Sequence, residues 1–283
     1  MQIRRGHHRL RLHPGASARP NPMARGAPVR LHLISALVVA GLSLALTSCS
    51  LATAPGAQPT GVTCPAGRAL VTMDELDLSG LSRSRGLLAQ RLDVVESDAE
   101  DTAYCQGRFT VIAFSTSTAA NVVLYDALLA PSGATQIARD REIPSLIKDV
   151  MVSVRAHVQG ALRRLPSNGT DLTAAFTLAT DDVALFGHRA AFNLTILSDG
   201  ISTTGPAPIN TPNLNSAQAV AAADQAPPAD LAYAHVVVEG VGTVAGSVQP
   251  PSDYVEAVRT YVNELCRRSR AASCLVTTEV ATP

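Results

Sequence analysis

The segment NLTILSDG, residues 193–200, is an apolar run that ends abruptly in Asp199 and Gly200. An ionised carboxylate is costly to bury without a partner, so an aspartate at the tip of a strand that enters the core needs a reason to be there. Asp199 either caps a turn in solvent or is held in place for chemistry. The residue types alone leave both alternatives open.

A second stretch, DELDLSGLS at residues 74–82, follows a short strand candidate and also combines carboxylates with hydroxyl groups. Such oxygens suit Mg²⁺, which takes six oxygen ligands in near-octahedral geometry and usually keeps several waters. Hydrolysis is disfavoured, because neither His188 nor His235 is paired in sequence with a convincing Ser or Cys nucleophile and the sequence has no G-x-S-x-G motif. We therefore expect a binding protein and no enzymatic activity.

Apolar strand patterns alternate with helical patterns between residues 66 and 270. Strands are predicted at 69–73, 108–115, 121–130, 190–198 and 232–240, and helices at 87–95, 144–165, 172–186, 216–225 and 252–268. We expect Pro144 in the first turn of the long helix, Thr170 or Asp171 as the cap of the next helix, and Ser252 as the cap of the last.

Strands that alternate with helices imply right-handed crossovers and a mostly parallel sheet with helices on both faces. The third strand follows the second after a short polar stretch, so it is predicted to be an antiparallel edge strand. The fold class is therefore α/β, doubly wound and Rossmann-like. With strand order 3-2-1-4-5, a crevice opens between the first and fourth strands, where Asp199 and residues 74–82 would meet.

These residues resemble the von Willebrand factor type A (vWA) family and its metal ion-dependent adhesion site. That site takes an Asp-x-Ser-x-Ser loop after the first strand, a Thr from a later loop and an Asp from the end of the fourth strand. The segments GTDLTAAFTLA (169–179) and LTILSDG (194–200) are similar to the last two, and the resemblance covers about residues 66–270. It implies a vWA fold and a cofactor, Mg²⁺ or alternatively Mn²⁺ or Ca²⁺. The implied ligands are Asp77, Ser79, Thr170 and Asp199.

The first loop departs from the family pattern, because Leu81 stands where the second Ser belongs. A register that starts at Asp74 would lose both hydroxyls, so the register that starts at Asp77 is preferred, with Ser82 as a partial substitute. So few negative charges would leave a bound cation electrophilic enough to accept an acidic residue from a partner. The alternative is that the Ser, Thr and Asp side chains serve only as caps and turn residues.

Residues 1–48 have the layout of a signal peptide, with an apolar run at 31–46 preceded by arginines, and Met23 is a possible true start. The sequence Leu-Thr-Ser-Cys at its end resembles the lipobox of bacterial lipoproteins, which implies lipidation of Cys49; the alternative is an ordinary secretory signal with a chance cysteine. We expect a lipidated Cys49 and flexible tether at 49–65, followed by a vWA-like domain at 66–283. The predicted location is the extracytoplasmic face of the cell membrane.

The charge of the mature chain argues against a nucleic-acid partner. The formal net charge of the whole sequence is zero, but the leader holds seven arginines and no acidic residue, which leaves 16 basic against 23 acidic residues. Nucleic-acid affinity depends on basic patches, so no nucleic-acid partner is expected.

Four cysteines follow Cys49, and an even number in an exported chain favours two disulfides. Three pairings are possible, and the expected fold favours Cys64–Cys105 and Cys266–Cys274. The first pair lies before two adjacent parallel strands, whose starts come together. The second pair flanks the end of the last helix.

The predicted function is metal-dependent protein binding, in adhesion or assembly at the cell envelope, by a domain anchored to the membrane through lipid alone. The unknown protein partner would present an acidic residue to the cation. The alternatives are a structural or interaction module with a degenerate site that binds no metal, and a solute-binding lipoprotein.

Overall fold

The computed structural model describes residues 62–280. The predicted signal peptide, Cys49 and most of the tether lie outside these residues. Within residues 62–280, no helix is long and apolar enough to cross a membrane.

A six-stranded sheet forms the centre of the domain, in the order β3-β2-β1-β4-β5-β6. Its strands are β1 (Ala69–Asp77), β2 (Arg108–Phe114), β3 (Asn121–Leu128), β4 (Ala190–Leu197), β5 (Ala234–Glu239) and β6 (Ser273–Val276). β3 pairs with β2 in antiparallel orientation and every other pair is parallel. The predicted doubly wound α/β fold is confirmed.

Helices cover both faces of the sheet. They are α1 (Arg85–Tyr104), α2 (Gln136–Arg164), α3 (Leu172–Phe186), α4 (Ser216–Ala223) and α5 (Ser252–Arg268), with short 3-10 turns at Gly80–Ser82 and Gly187–Arg189. One apolar core lies between the sheet and α1 and α2, and a second lies between the opposite face and the other three helices.

Two helix starts differ from the prediction. α2 begins eight residues before Pro144, at Gln136, because the Thr135 side chain accepts a hydrogen bond from the Ala138 amide at 3.2 Å and caps it there. In α5, Ser252 is the first helical residue rather than the cap, and Pro251 precedes it without a side-chain cap. α3 is capped by Asp171, which accepts from the amides of Thr173 and Ala174 at 3.1 and 3.3 Å.

The first strand is longer than predicted, and a sixth strand was missed. β1 continues to Asp77 instead of ending at residue 73, so Asp74 and Glu75 are buried strand residues. Charged residues in a strand break the apolar pattern from which strands are predicted. β6 has four residues, of which only Val276 is fully buried, so it carries almost no apolar signal.

The structure contains disulfides between Cys64 and Cys105 and between Cys266 and Cys274, with Cα–Cα distances of 5.3 and 5.9 Å. These are the two pairs that the expected fold favours. The first ties the segment before β1 to the end of α1, and the second ties the end of α5 to β6. Disulfides of this kind are typical of exported proteins.

Candidate functional site

The carboxyl ends of the two central strands place two aspartates side by side. β1 ends at Asp77, and β4 is followed at once by Ser198 and Asp199, with Leu76 and Leu197 paired in register. Both carboxylates are completely buried. Because β1 and β4 are adjacent parallel strands, the fold brings together residues 122 positions apart in the chain.

Asp77 is the centre of a buried hydrogen-bond network. Its Oδ1 accepts from the Ser79 amide at 2.8 Å. Its Oδ2 accepts from the hydroxyls of Ser198 at 2.8 Å and Ser82 at 2.9 Å, and Thr170 Oγ1 lies 3.5 Å away. Asp77, and not Asp74, is therefore the residue at the strand end that faces the other candidate ligands.

Asp199 has fewer donors. Its Oδ1 accepts from the Ile201 amide at 2.8 Å, whereas its Oδ2 meets only the Ser82 hydroxyl at 3.4 Å. Burial, with the nearby charge of Asp77, raises the pKa of Asp199 to about 7. Gly200 follows with a φ of +74°, which explains the glycine after the aspartate because other residues rarely adopt this conformation.

Ser82, the residue after Leu81, places its hydroxyl beside the two aspartates. Leu81 points outward and is 41% exposed, while Ser82 is completely buried and donates to Asp77 with a second contact to Asp199. The turn at Gly80–Ser82 rotates the hydroxyl inward. The first loop therefore brings the Ser82 hydroxyl to the two aspartates, and its substitution for the second Ser of the pattern stays a prediction.

Two backbone contacts hold the loops that carry Ser79 and Thr170. The Gly80 amide donates to the Ser167 carbonyl at 3.0 Å, and a Cβ at Gly80 would lie only 2.5 Å from that oxygen. The Thr170 carbonyl accepts from the Thr203 amide at 2.8 Å. These loops line a cavity of about 360 Å³ beside Ser79 and Thr170.

Hydrogen bonds from Arg83 hold the loop after β1 against the end of α2. Its guanidinium donates to the carbonyl of Leu78, to that of Leu165 at 2.8 Å and to that of Leu162 at 3.2 Å. With a fourth contact to the Pro166 carbonyl at 3.3 Å, these hydrogen bonds fix the position of the loop after β1.

Arg91 is a site residue that the sequence did not reveal. It lies on α1, is 1% exposed, and donates from Nη1 to the Asp77 carbonyl at 3.1 Å, while its Nε and Nη2 have no hydrogen-bond partner. Burial lowers the pKa of its guanidinium, and the charges of Asp77 and Asp199 oppose this effect. An arginine in a helical pattern predicts a surface residue, so no signal in the sequence could have identified Arg91 as part of the site.

The Ser79 hydroxyl is the feature of this group of residues that fits a hard divalent cation. Ser79 Oγ is buried beside Asp77 and has no hydrogen-bond partner. A buried hydroxyl without a partner is unusual, and a cation would supply one. Residues 62–280 contain no group of three or more His, Cys, Asp or Glu side chains placed to hold a metal ion, so the other ligands would be hydroxyls and water.

No family model matches this chain, and no curated protein matches its sequence significantly. A crystal structure of the pilus adhesin SpaC from Lactobacillus rhamnosus GG is similar over 77% of this chain and 29% of the adhesin chain, with 11% identity and a TM-score of 0.42. Its open conformation gives 12% identity and a TM-score of 0.38 over 76% of this chain and 28% of that one. Proximal thread matrix protein 1 from the mussel byssus gives 11% identity and a TM-score of 0.37 over 77% of this chain and 44% of that one. This chain thus spans under a third of the adhesin's length, and at these identities and TM-scores no functional property is transferred.

Proposed function

We propose that this domain binds a divalent cation, Mg²⁺ or alternatively Mn²⁺ or Ca²⁺, and through it a protein partner that presents a carboxylate. The ligands are Asp77, Ser79, Thr170 and Asp199, some of them acting through water, in an arrangement that resembles the adhesion site of vWA domains. The observation that carries the proposal is the buried Ser79 hydroxyl, which lacks a partner beside the two buried aspartates.

The chemistry at this site is binding rather than catalysis. A bound cation would supply an electrophilic coordination position, and Asp77, Asp199 and the hydroxyls of Ser79 and Thr170 would hold it. The cavity of about 360 Å³ next to Ser79 and Thr170 leaves room for a partner side chain. We further propose adhesion or assembly at the extracytoplasmic face of the cell membrane, with lipid at Cys49 as the only membrane contact.

A second candidate function is a structural or interaction module that binds no metal. Arg91 favours this alternative, because a buried guanidinium near Asp77 and Asp199 already offsets part of their negative charge. The hydrogen bonds from Ser82 and Ser198 to Asp77 act in the same direction.

Thermal unfolding with Mg²⁺ or Mn²⁺ distinguishes the two functions. The protein is the chain from residue 49 with Cys49→Ser, which cannot be lipidated. A ligand that binds only the native state adds about 2.7 kcal/mol at 100 times its Kd. For a domain of this size that corresponds to a rise in Tm of roughly 5 to 10 °C.

Asp199→Asn is expected to abolish this rise, because the amide keeps the shape but removes the charge. Asp149→Asn, at an exposed position of α2, is the matched control and should keep it. A wild-type Tm that does not change at millimolar metal would contradict the metal-dependent function and favour the module.

Replacing Arg91 with methionine is expected to strengthen metal binding about tenfold or more, because a like charge next to the cation disappears. The pKa of Asp199 should rise further without metal, since Arg91 acts to lower it. A Mn²⁺ titration followed by electron paramagnetic resonance measures the affinity. Arg85→Met, at an exposed position of the same helix, is the control, and equal Kd values for the two variants would show that Arg91 does not act on the cation.

A further inference from the structure

Three arginines lie where the carboxyl-terminal end of α2 meets the loop after β1. Arg163 and Arg164 occupy the last turn of α2, and both are exposed. Arg83 is half-buried, and its guanidinium reaches the same helix end by donating to the Leu165 carbonyl at 2.8 Å. The three side chains together form the arginine corner of the domain.

The arginine corner has no acidic partner. Within residues 62–280, every ion pair engages other arginines, and none includes Arg83, Arg163 or Arg164. The two segments that meet here, 78–92 and 150–170, contain neither Asp nor Glu. The mature chain has 16 basic against 23 acidic residues, so a basic surface without carboxylates is a local exception to its charge.

The cavity of about 360 Å³ lies next to the arginine corner. Ser167 lines this cavity and follows Arg164 by three residues, so their Cα atoms are at most about 11 Å apart. No charged residue lines the cavity, but Ser79 does, and its buried Oγ has no hydrogen-bond partner. A ligand in the cavity would therefore lie between the candidate cation site and the arginine corner.

We propose that the arginine corner binds a second carboxylate of the partner, so that the partner is an acidic protein segment with at least two Asp or Glu side chains a few residues apart. This inference rests on the proposed function, in which the first carboxylate meets the cation. A guanidinium group presents a fork of N–H donors that matches the two oxygens of a carboxylate. Exposed charges of this kind speed association and select the partner.

The arginine corner also lies far from the point where the chain enters the domain. Cys64, before β1, is joined by its disulfide to Cys105 at the carboxyl end of α1. α1 has 20 residues and is therefore about 30 Å long, and Arg83 lies just before its other end. A lipid at Cys49 would bring the Cys64 end of the domain nearer to the membrane, which favours a protein over a lipid surface as the ligand of the arginine corner.

Fluorescence anisotropy tests the proposal on the chain from residue 49 with Cys49→Ser. The probes are fluorescein-labelled hexaglutamate and a labelled Gly-Ser peptide with a single Glu, each titrated with protein in Mg²⁺ and in EDTA. Replacing both Arg163 and Arg164 with glutamine is expected to weaken hexaglutamate binding about 3- to 10-fold, because two exposed charge contacts are lost. Binding of the single-Glu peptide in Mg²⁺ should not change. Added salt should weaken hexaglutamate binding more for the wild type than for the double variant.

Arg141→Gln is the matched control. Arg141 is an exposed arginine of α2 without an ion pair, about 33 Å along the helix from Arg163, so this variant should bind hexaglutamate like the wild type. Equal affinities of the Arg141 variant and the double variant would overturn the proposal. A double variant with a lower Tm but wild-type affinity would also overturn it, and would assign Arg163 and Arg164 to the stability of α2 alone.

The remaining outcomes concern the ligand and the cation. No binding of hexaglutamate at millimolar protein, or binding of phosphatidylserine vesicles in its place, would overturn the proposal. If Mg²⁺ does not strengthen wild-type binding while the double variant still loses affinity in EDTA, the cation function fails and the arginine corner stands. If Mg²⁺ strengthens binding by the wild type and the double variant to the same affinity, the cation function stands and the arginine corner fails.

Discussion

Replacing Cys64 and Cys105 with serine is expected to lower the free energy of unfolding by about 4 kcal/mol. Their disulfide closes a loop of 41 residues that contains all of β1 and α1, so its loss allows a large gain in the entropy of the unfolded chain. It also releases the segment before β1, the strand on which Asp77 lies. Urea unfolding followed by circular dichroism measures the loss.

The second disulfide provides the comparison. Cys266–Cys274 closes a loop of only 8 residues, so replacing both cysteines should cost about 2.5 kcal/mol in the same experiment. The ordering of the two losses is the test, since each variant loses the same kind of bond. Equal losses, or a smaller loss for the longer loop, would show that loop closure does not govern the stability of this domain.

Replacing Glu75 with methionine is expected to stabilise the protein by about 1 to 3 kcal/mol, the usual penalty for a buried polar group without a partner. Glu75 lies near the carboxyl end of β1, is completely buried, and neither of its oxygens has a hydrogen-bond partner. Methionine fills a similar volume without a polar group. Urea unfolding at pH 5 compares the variant with the wild type.

Glu75→Gln tests the charge separately from the volume. Burial raises the pKa of Glu75 well above its ordinary value of 4.5, and the charge of Asp182 adds to this effect. A raised folded-state pKa means that the folded state holds the proton more tightly, so this contribution to stability is complete below about pH 4.5 and is lost as the pH rises through the folded pKa. The stability of the Gln variant should therefore fall less between pH 5 and 8 than that of the wild type.

Glu142→Gln, at an exposed position of α2, is the control and should follow the wild type at both pH values. If Glu75→Gln lost as much stability as the wild type over this interval, Glu75 would not be the group that titrates. Asp74 and Asp199 also have raised pKa values, so some pH dependence should persist in the Gln variant.

Local patterns predicted the elements that bury one clear apolar face. β4 is an apolar run that ends at a polar turn, and α3 has apolar residues at helical spacing behind a capping aspartate, so residues 172–186 were predicted with the observed bounds. Local patterns failed to predict the parts of elements in which polar residues are buried. Asp74 and Glu75 look like loop residues, but the pairing of β1 with β2 and β4 holds both inside the sheet.

The start of α2 shows a different limit. A proline fits the first turn of a helix, so Pro144 was an obvious place to begin one. The helix nevertheless starts at Gln136, because Thr135 caps it there and Ile143 packs against the core. Pro144 therefore lies inside the helix instead of in its first turn.

The sequence by itself determined the order of the first five strands and of the helices, the strand-end position of Asp199, and the cysteines available for disulfides. These depend on residues close together in the chain. Only the tertiary structure decided that Ser82 donates to Asp77, that Arg91 lies near both aspartates, and that Asp74 lies beside Asp98. Each depends on the register between strands and on the position of a helix over them, which bring residues from distant parts of the chain to one place and which no local pattern encodes.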